Sequence, residues 1–150
     1  MTERKDRPKV LIVHGPNLNM LGKREPEIYG STTLDEINAG LKELGEKLGL
    51  ETESFQSNHE GAIVEKIQSA MGTCSGLIIN PAAYTHTSIA IRDAILLLDC
   101  PVIEIHLSNI YKREAFRHKS MIADIATAQI SGLGVHGYYL ALEGIAKMIS

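Results

Sequence analysis

Short apolar runs alternate with longer amphipathic stretches along the chain, and this alternation constrains the possible fold more than any other feature. The first run, Lys9–His14, is rich in β-branched residues and ends at a Gly-Pro pair, which predicts a buried strand. Residues 33 to about 48 then place their apolar side chains on one face of a helix. Thr33 and Glu36 have the spacing of a capping box, which predicts where this helix begins.

The same alternation continues to the end of the chain. Four further strands are predicted at residues 50–56, 76–80, 101–106 and, more weakly, 126–130. Helices are predicted between and after them, one carrying Ile63, Ile67, Ala70 and Met71, one over 87–98 and one over 135–149. Strict alternation of strand and helix requires right-handed crossovers and a parallel sheet that is covered on both faces. Five strands favour an α/β, flavodoxin-like three-layer sandwich with strand order 2-1-3-4-5.

The chain is predicted to form one domain. Its 150 residues fit a single domain of common size, and no linker or repeat interrupts residues 9–150. Residues 1–8 are mostly charged and precede the first strand, so we expect a disordered N-terminal extension there.

Composition argues against several classes of partner and cofactor. The net charge of -3 provides no overall electrostatic attraction to nucleic acid or to an anionic membrane. No apolar run approaches the roughly 20 residues that cross a bilayer, and no signal-peptide region is visible, so we expect a cytoplasmic protein. Cys74 and Cys100 are too few for a disulfide framework or a zinc site. Neither a metal nor an organic cofactor is expected.

Polar side chains follow three of the predicted strands, at the ends where ligands bind to sheets of this kind. They are Asn17, Asn19, Arg24 and Tyr29 after the first strand, Asn80 and His86 after the third, and Glu104, His106, Ser108 and Asn109 at and after the fourth. The carboxyl ends of parallel strands share one edge of the sheet. We therefore expect these residues to form a site together.

Glu104 and His106 are two residues apart in a predicted strand, so their side chains point to the same face. A carboxylate beside an imidazole fixes its tautomer and favours its protonated form, which suits a general acid. A buried ion pair with a purely structural role is the alternative interpretation.

Arg24 and Tyr29 lie in a loop of about sixteen residues, Gly15 to Gly30, without apolar periodicity. Loops of this length are often functional lids. The pKa of a tyrosine is about 10, and a value near 7 requires roughly 4 kcal/mol of preferential stabilisation of the phenolate. An arginine held against the tyrosine in a closed lid would supply much of this stabilisation of the phenolate. Two surface residues without such a role are the alternative.

Two further pairs have open interpretations. Asn80 and His86 offer an amide and an imidazole to a hydroxyl-rich substrate, although His86 fits local hydrogen bonding equally well. Arg113 and Arg117 are four residues apart and share a face if the segment is helical. They either hold an anionic substrate or pair with Glu114 and other nearby acids.

The residues alone indicate an α/β enzyme that acts on a small polar anion by acid–base chemistry. The first loop matches neither a Walker loop nor the dinucleotide fingerprint. A non-catalytic flavodoxin-like binding module remains an alternative, as does another cofactor-free lyase on the same scaffold.

Several motifs in the chain resemble those of the type II 3-dehydroquinate dehydratase family. They occur in the family's order from about residue 9 to the end of the chain, at residues 14–22, 24–30, 56–58, 80–88, 104–109, 113–117 and 132–138. The resemblance implies a cofactor-free anti elimination of water from 3-dehydroquinate, through an enolate, to give 3-dehydroshikimate. This reaction belongs to the shikimate pathway of aromatic amino acid biosynthesis and to quinate catabolism. The resemblance also implies a homo-oligomer, usually a dodecamer of four trimers.

The resemblance assigns a role to each candidate residue. Tyr29 is the expected base, Arg24 stabilises its phenolate, and Asn17 holds the enolate through a water molecule. His106, supported by Glu104, protonates the departing hydroxyl group. The expected substrate contacts are the side chains of Asn80, His86 and Arg117, the backbone of Leu107 and Ser108, Asp93 from a neighbouring subunit, and Arg113 in the lid region.

Overall fold

The structure is a computed structural model, and it describes residues 6–23 and 30–150. Its single sheet contains five strands: β1 (Lys9–His14), β2 (Glu51–Gln56), β3 (Gly76–Asn80), β4 (Val102–His106) and β5 (Ala128–Ser131). Neighbouring strands are all parallel, and their order is β2-β1-β3-β4-β5. The predicted α/β, flavodoxin-like fold and its strand order are confirmed.

Two pairs of helices cover the two faces of the sheet. The helices are α1 (Leu34–Lys47), α2 (Glu60–Ser69), α3 (Ile89–Ile95) and α4 (His136–Ile149). Because successive strand residues face opposite sides, Val10 and Ile12 pack with α1 and α4, while Leu11 and Val13 pack with α2 and α3. The central strands β3 and β4 are buried along their whole length, as expected of strands covered on both faces.

Two helix starts are explained by side-chain caps. The Thr33 hydroxyl accepts a hydrogen bond from the Glu36 N–H at 3.2 Å, so the predicted cap of α1 is confirmed. Ser88 caps α3 in the same way, accepting from the Ile91 N–H at 2.9 Å.

Three elements differ from the prediction by more than a single residue at one end. Helix α2 ends at Ser69, because the N–H groups of Ala70 and Met71 already bond to carbonyls three residues back. Helix α3 is shorter than the predicted 87–98, because Ser88 already caps it and the chain after Ile95 tightens into bonds between residues three apart. Strand β5 begins at Ala128 instead of 126, because Ala126 still bonds back to Ile122 in the preceding turn.

The predicted extension at residues 1–8 falls largely outside the described residues, and the single-domain boundary stays a prediction. Within residues 6–23 and 30–150, no helix is long and apolar enough to cross a membrane.

Candidate active site

A cavity of about 280 Å³ opens at the carboxyl ends of β1, β3 and β4. It is large enough for a small polar molecule. Eight of the predicted site residues line it: Asn17, Asn80, His86, His106, Leu107, Ser108, Arg113 and Arg117. Apolar side chains that include Leu18, Leu21 and Ile110 complete the wall.

The loops after β1 and β3 are held against each other where they enter the cavity. The Gly15 N–H donates to the Asn80 carbonyl oxygen at 2.8 Å. A Cβ on Gly15 would lie 2.3 Å from the Pro81 carbonyl oxygen, so only glycine allows this approach. Asn17 follows with a left-handed backbone (φ 69°), and its N–H donates to Asn58 Oδ1 at 2.9 Å.

Glu104 and His106 form a buried pair at the end of β4. His106 Nε2 donates to Glu104 Oε2 at 2.5 Å, and the Ser120 hydroxyl donates to the same oxygen at 2.8 Å. Burial raises the pKa of Glu104, but the hydrogen bond and charge of His106, together with Ser120, outweigh burial and hold this pKa below its usual range. Glu104 is therefore an anion that accepts a hydrogen bond from His106 and fixes the orientation of its ring.

The Asn80 side chain is buried and anchored at both ends of its amide. Its Oδ1 accepts from the Ala82 N–H at 3.1 Å, and its Nδ2 donates to the Tyr138 hydroxyl oxygen at 3.3 Å. His86 donates from Nδ1 to the Lys119 carbonyl at 2.8 Å, and the residue also lines the cavity. The two interpretations of His86 are therefore compatible, because it makes a local hydrogen bond and also lines the cavity.

Arg113 and Arg117 both line the cavity. The segment forms two short 3₁₀ turns, Ile110–Lys112 and Ala115–Arg117, separated by extended backbone at Arg113. The two arginines therefore do not share the face of a continuous helix. Arg117 Nε donates to Glu114 Oε1 at 2.9 Å, and this hydrogen bond holds the pKa of Glu114 below its usual range. Among the described residues, this cluster joins two guanidinium groups to one carboxylate.

Glu104 lies beneath the cavity, and neither Asn19 nor Asn109 lines it. Three further predicted residues are not placed at the cavity. Asp93 is exposed on α3 and does not line it. Arg24 and Tyr29 lie outside the described residues. Within the described part of the chain, no group of three or more His, Cys, Asp or Glu side chains is arranged to hold a metal ion.

Sequence reasoning missed three side chains that support the site. Ser120 holds Glu104, while Tyr138 contacts both Asn80 and His14. His14 ends the first predicted strand and Tyr138 lies in the last predicted helix. Both fall within motifs that resemble those of the family, but neither was given a role. Their contacts join residues far apart in the chain, so no local pattern indicates them.

The chain is similar to proteins of one family over nearly its whole length. The family described as Dehydroquinase class II matches residues 8–146. A 3-dehydroquinate dehydratase from Geotalea daltonii is 61% identical, over 94% of this chain and 98% of the relative. The catabolic 3-dehydroquinase 1 of Aspergillus terreus is 57% identical, over 91% of this chain and 90% of the relative. The crystal structure of a type II dehydroquinase from Propionibacterium acnes has a TM-score of 0.89 and 46% identity, covering 93% of this chain and 96% of that one.

Proposed function

Because this chain belongs to the class II dehydroquinase family and is a hydro-lyase that dehydrates 3-dehydroquinate, we propose that it works by anti elimination through an enolate. In this mechanism a base removes a proton from C2, and the electrons form an enolate with the neighbouring C3 ketone. The C1–oxygen bond then breaks, and an acid protonates the departing hydroxyl group to give water and 3-dehydroshikimate.

The observation that carries the proposal is the buried Glu104–His106 pair at the cavity. His106 is 6% exposed and lines the cavity, whereas Glu104 is fully buried beneath it. A charged imidazole with one N–H fixed by a carboxylate has its second nitrogen available to donate a proton. In this proposal, His106 is therefore the general acid that protonates the departing hydroxyl group, and Glu104 holds its ring in position.

The base in this proposal is Tyr29, with Arg24 stabilising its phenolate. Both assignments come from the family's motif and concern residues outside the described part of the chain. Asn17, at the cavity wall, would hold the enolate oxygen through a water molecule.

The remaining cavity residues suit the binding of a hydroxylated carboxylate. Asn80, His86 and Arg117 would bind hydroxyl groups, and the backbone of Leu107 and Ser108 would receive the carboxylate. Arg113 would add positive charge beside them. All of these residues line the cavity.

We propose a homo-oligomer, a dodecamer of four trimers, in which Asp93 reaches the cavity of a neighbouring subunit. The exposure of Asp93 on α3 supports this, as do the exposed apolar side chains of Ile89 and Leu96 at the two ends of the same helix. Native mass spectrometry tests the assembly, because a dodecamer has about twelve times the subunit mass of 16.4 kDa. The reaction serves either aromatic biosynthesis or quinate breakdown, and we expect it to take place in the cytoplasm.

The proposed stereochemistry is tested with substrate that carries deuterium at C2. The wild-type protein is mixed with 3-dehydroquinate labelled on the C2 face opposite the C1 hydroxyl. The absorbance of the conjugated enone measures turnover, and the mass of the product shows whether it keeps the deuterium. We expect product that has lost its deuterium, because the base removes the hydrogen from the opposite face. Product that keeps the label would exclude an anti elimination. Absence of product from folded protein would overturn the function itself.

A further inference from the structure

A chain of buried polar side chains runs beneath the cavity and ends at Asn80. Asn38 of α1 contacts His14 at the end of β1 (Oδ1 to Nε2, 2.9 Å), and His14 contacts Tyr138 of α4 (Nδ1 to hydroxyl, 2.9 Å). The Tyr138 hydroxyl in turn contacts Asn80 Nδ2 at 3.3 Å. His14 and Tyr138 are fully buried, and Asn80 is 4% exposed. The acid–base mechanism gives no task to the first three of these residues.

The chemistry of these groups gives the chain one direction. The carbonyl oxygen of Asn38 only accepts, so His14 Nε2 must carry the hydrogen. Burial lowers the pKa of His14 to about 4, so at neutral pH the ring is uncharged and its Nδ1 is an acceptor. The Tyr138 hydroxyl therefore donates to His14. Its oxygen keeps a lone pair that accepts from Asn80 Nδ2.

This direction determines which group Asn80 presents to the cavity. The Ala82 N–H occupies Oδ1 and Tyr138 occupies one hydrogen of Nδ2. A rotation of the amide by half a turn would set the NH₂ group against the Ala82 N–H and leave Tyr138 without its donor. The amide is thereby locked, and its second Nδ2 hydrogen has no partner among the described residues.

We propose that Tyr138 and His14 are positioning residues, which hold the Asn80 amide so that it donates a hydrogen bond to a hydroxyl oxygen of the substrate. The inference rests on the proposed function, in which Asn80 binds such a hydroxyl. Neither residue touches the substrate, so both act only through Asn80. A general contribution of these buried groups to core stability is the competing explanation.

Tyr138→Phe tests the proposal, because it removes only the hydroxyl and keeps the buried ring. We expect the KM for 3-dehydroquinate to rise about five- to tenfold, as befits the loss of one oriented hydrogen bond, with kcat changed less than about threefold. Tyr139→Phe is the matched control on the same helix. It lies outside the cavity lining, and we expect its KM and kcat to equal those of the wild type.

A double-mutant cycle with Asn80→Ala separates positioning from general stability. If Tyr138 acts through Asn80, Tyr138→Phe changes KM less than about twofold once Asn80→Ala is present. Effects on KM that multiply, or an unchanged KM in the single variant, would overturn the proposal. If Tyr138→Phe does not fold, Asn38→Ala replaces it, because Asn38 of α1 is only half-buried. The same two criteria apply, namely a raised KM in the single variant and a change of less than about twofold once Asn80→Ala is present. Wild-type turnover is measured in parallel, so that an inactive wild type counts against the proposed function and not against this inference.

Discussion

At the scale of single residues, the site depends on buried polar groups whose protonation states are set by their surroundings. Glu104 stays charged because His106 and Ser120 stabilise the anion against the effect of burial. His14 stays neutral because burial disfavours its charged form, and the partners of its ring nitrogens among the described residues, Asn38 and Tyr138, are not carboxylates. The two groups lie under the same cavity, and they respond to acid in different pH ranges.

His14 makes the free energy of unfolding depend on pH. Its pKa falls from 6.5 in the unfolded chain to about 4 in the folded protein, so the unfolded chain binds the proton first. The full stability is present above about pH 6.5 and is lost as the pH falls towards 4, with a loss of about 2 kcal/mol by pH 5. Urea unfolding of the wild type at pH 7.5 and pH 5.0, at equal protein concentration, measures this loss.

His14→Asn is the matched variant for this measurement, because an amide keeps a donor and an acceptor but does not titrate. We expect the variant to lack the His14 part of the pH dependence. The carboxylates with lowered pKa values, Glu53, Glu104, Glu114 and Asp124, titrate mostly below pH 5 and contribute little to the difference between the two pH values. An equal loss in the variant and the wild type would show that His14 is not the responsible group.

At the scale of elements, the site depends on how closely the loops after β1 and β3 approach each other. Gly15→Ala places a methyl group against the Pro81 carbonyl oxygen and must push the loops that carry Asn17 and Asn80 apart. We expect a loss of about 1–3 kcal/mol in stability, together with a clear loss of turnover. Urea unfolding and steady-state kinetics measure the two effects.

Gly61→Ala in α2 is the control for this substitution. A Cβ at Gly61 meets no atom within 4 Å, so the free energy of unfolding should stay the same or rise by up to about 1 kcal/mol. Turnover should be unchanged. If Gly15→Ala behaves like Gly61→Ala, the close approach does not determine the site.

The elements themselves were largely predictable because their signals are local. The bounds of β1 and β3 match the prediction, since each is a solid apolar run that ends directly before a turn with proline. The cap at Thr33 is equally local. The end of α3 and the start of β5 were misplaced, because hydrogen bonds of the neighbouring turns decide them. The pattern of apolar residues does not predict those hydrogen bonds.

At the scale of the whole molecule, the parallel sheet collects side chains from distant parts of the sequence at one edge. This rule correctly predicted that Asn17, Asn80 and His106 would share a cavity. The rule does not predict the hydrogen bonds beneath the cavity that join His14 to Asn38 and Tyr138. These contacts form only after α1 and α4 have packed on the sheet. The reaction and substrate came from the family resemblance, which the relatives support.

The central claim is that Tyr29 removes the C2 proton of 3-dehydroquinate, and one comparison of turnover tests it most directly. Tyr29→Phe and Tyr111→Phe are assayed beside the wild type by following the enone absorbance. Tyr111 is 60% exposed and does not line the cavity, so its variant controls for loss of a tyrosine hydroxyl. We predict that Tyr29→Phe lowers kcat by about 10²–10⁴-fold while it still binds substrate, and that Tyr111→Phe retains normal turnover. Near-normal turnover of Tyr29→Phe would contradict the account.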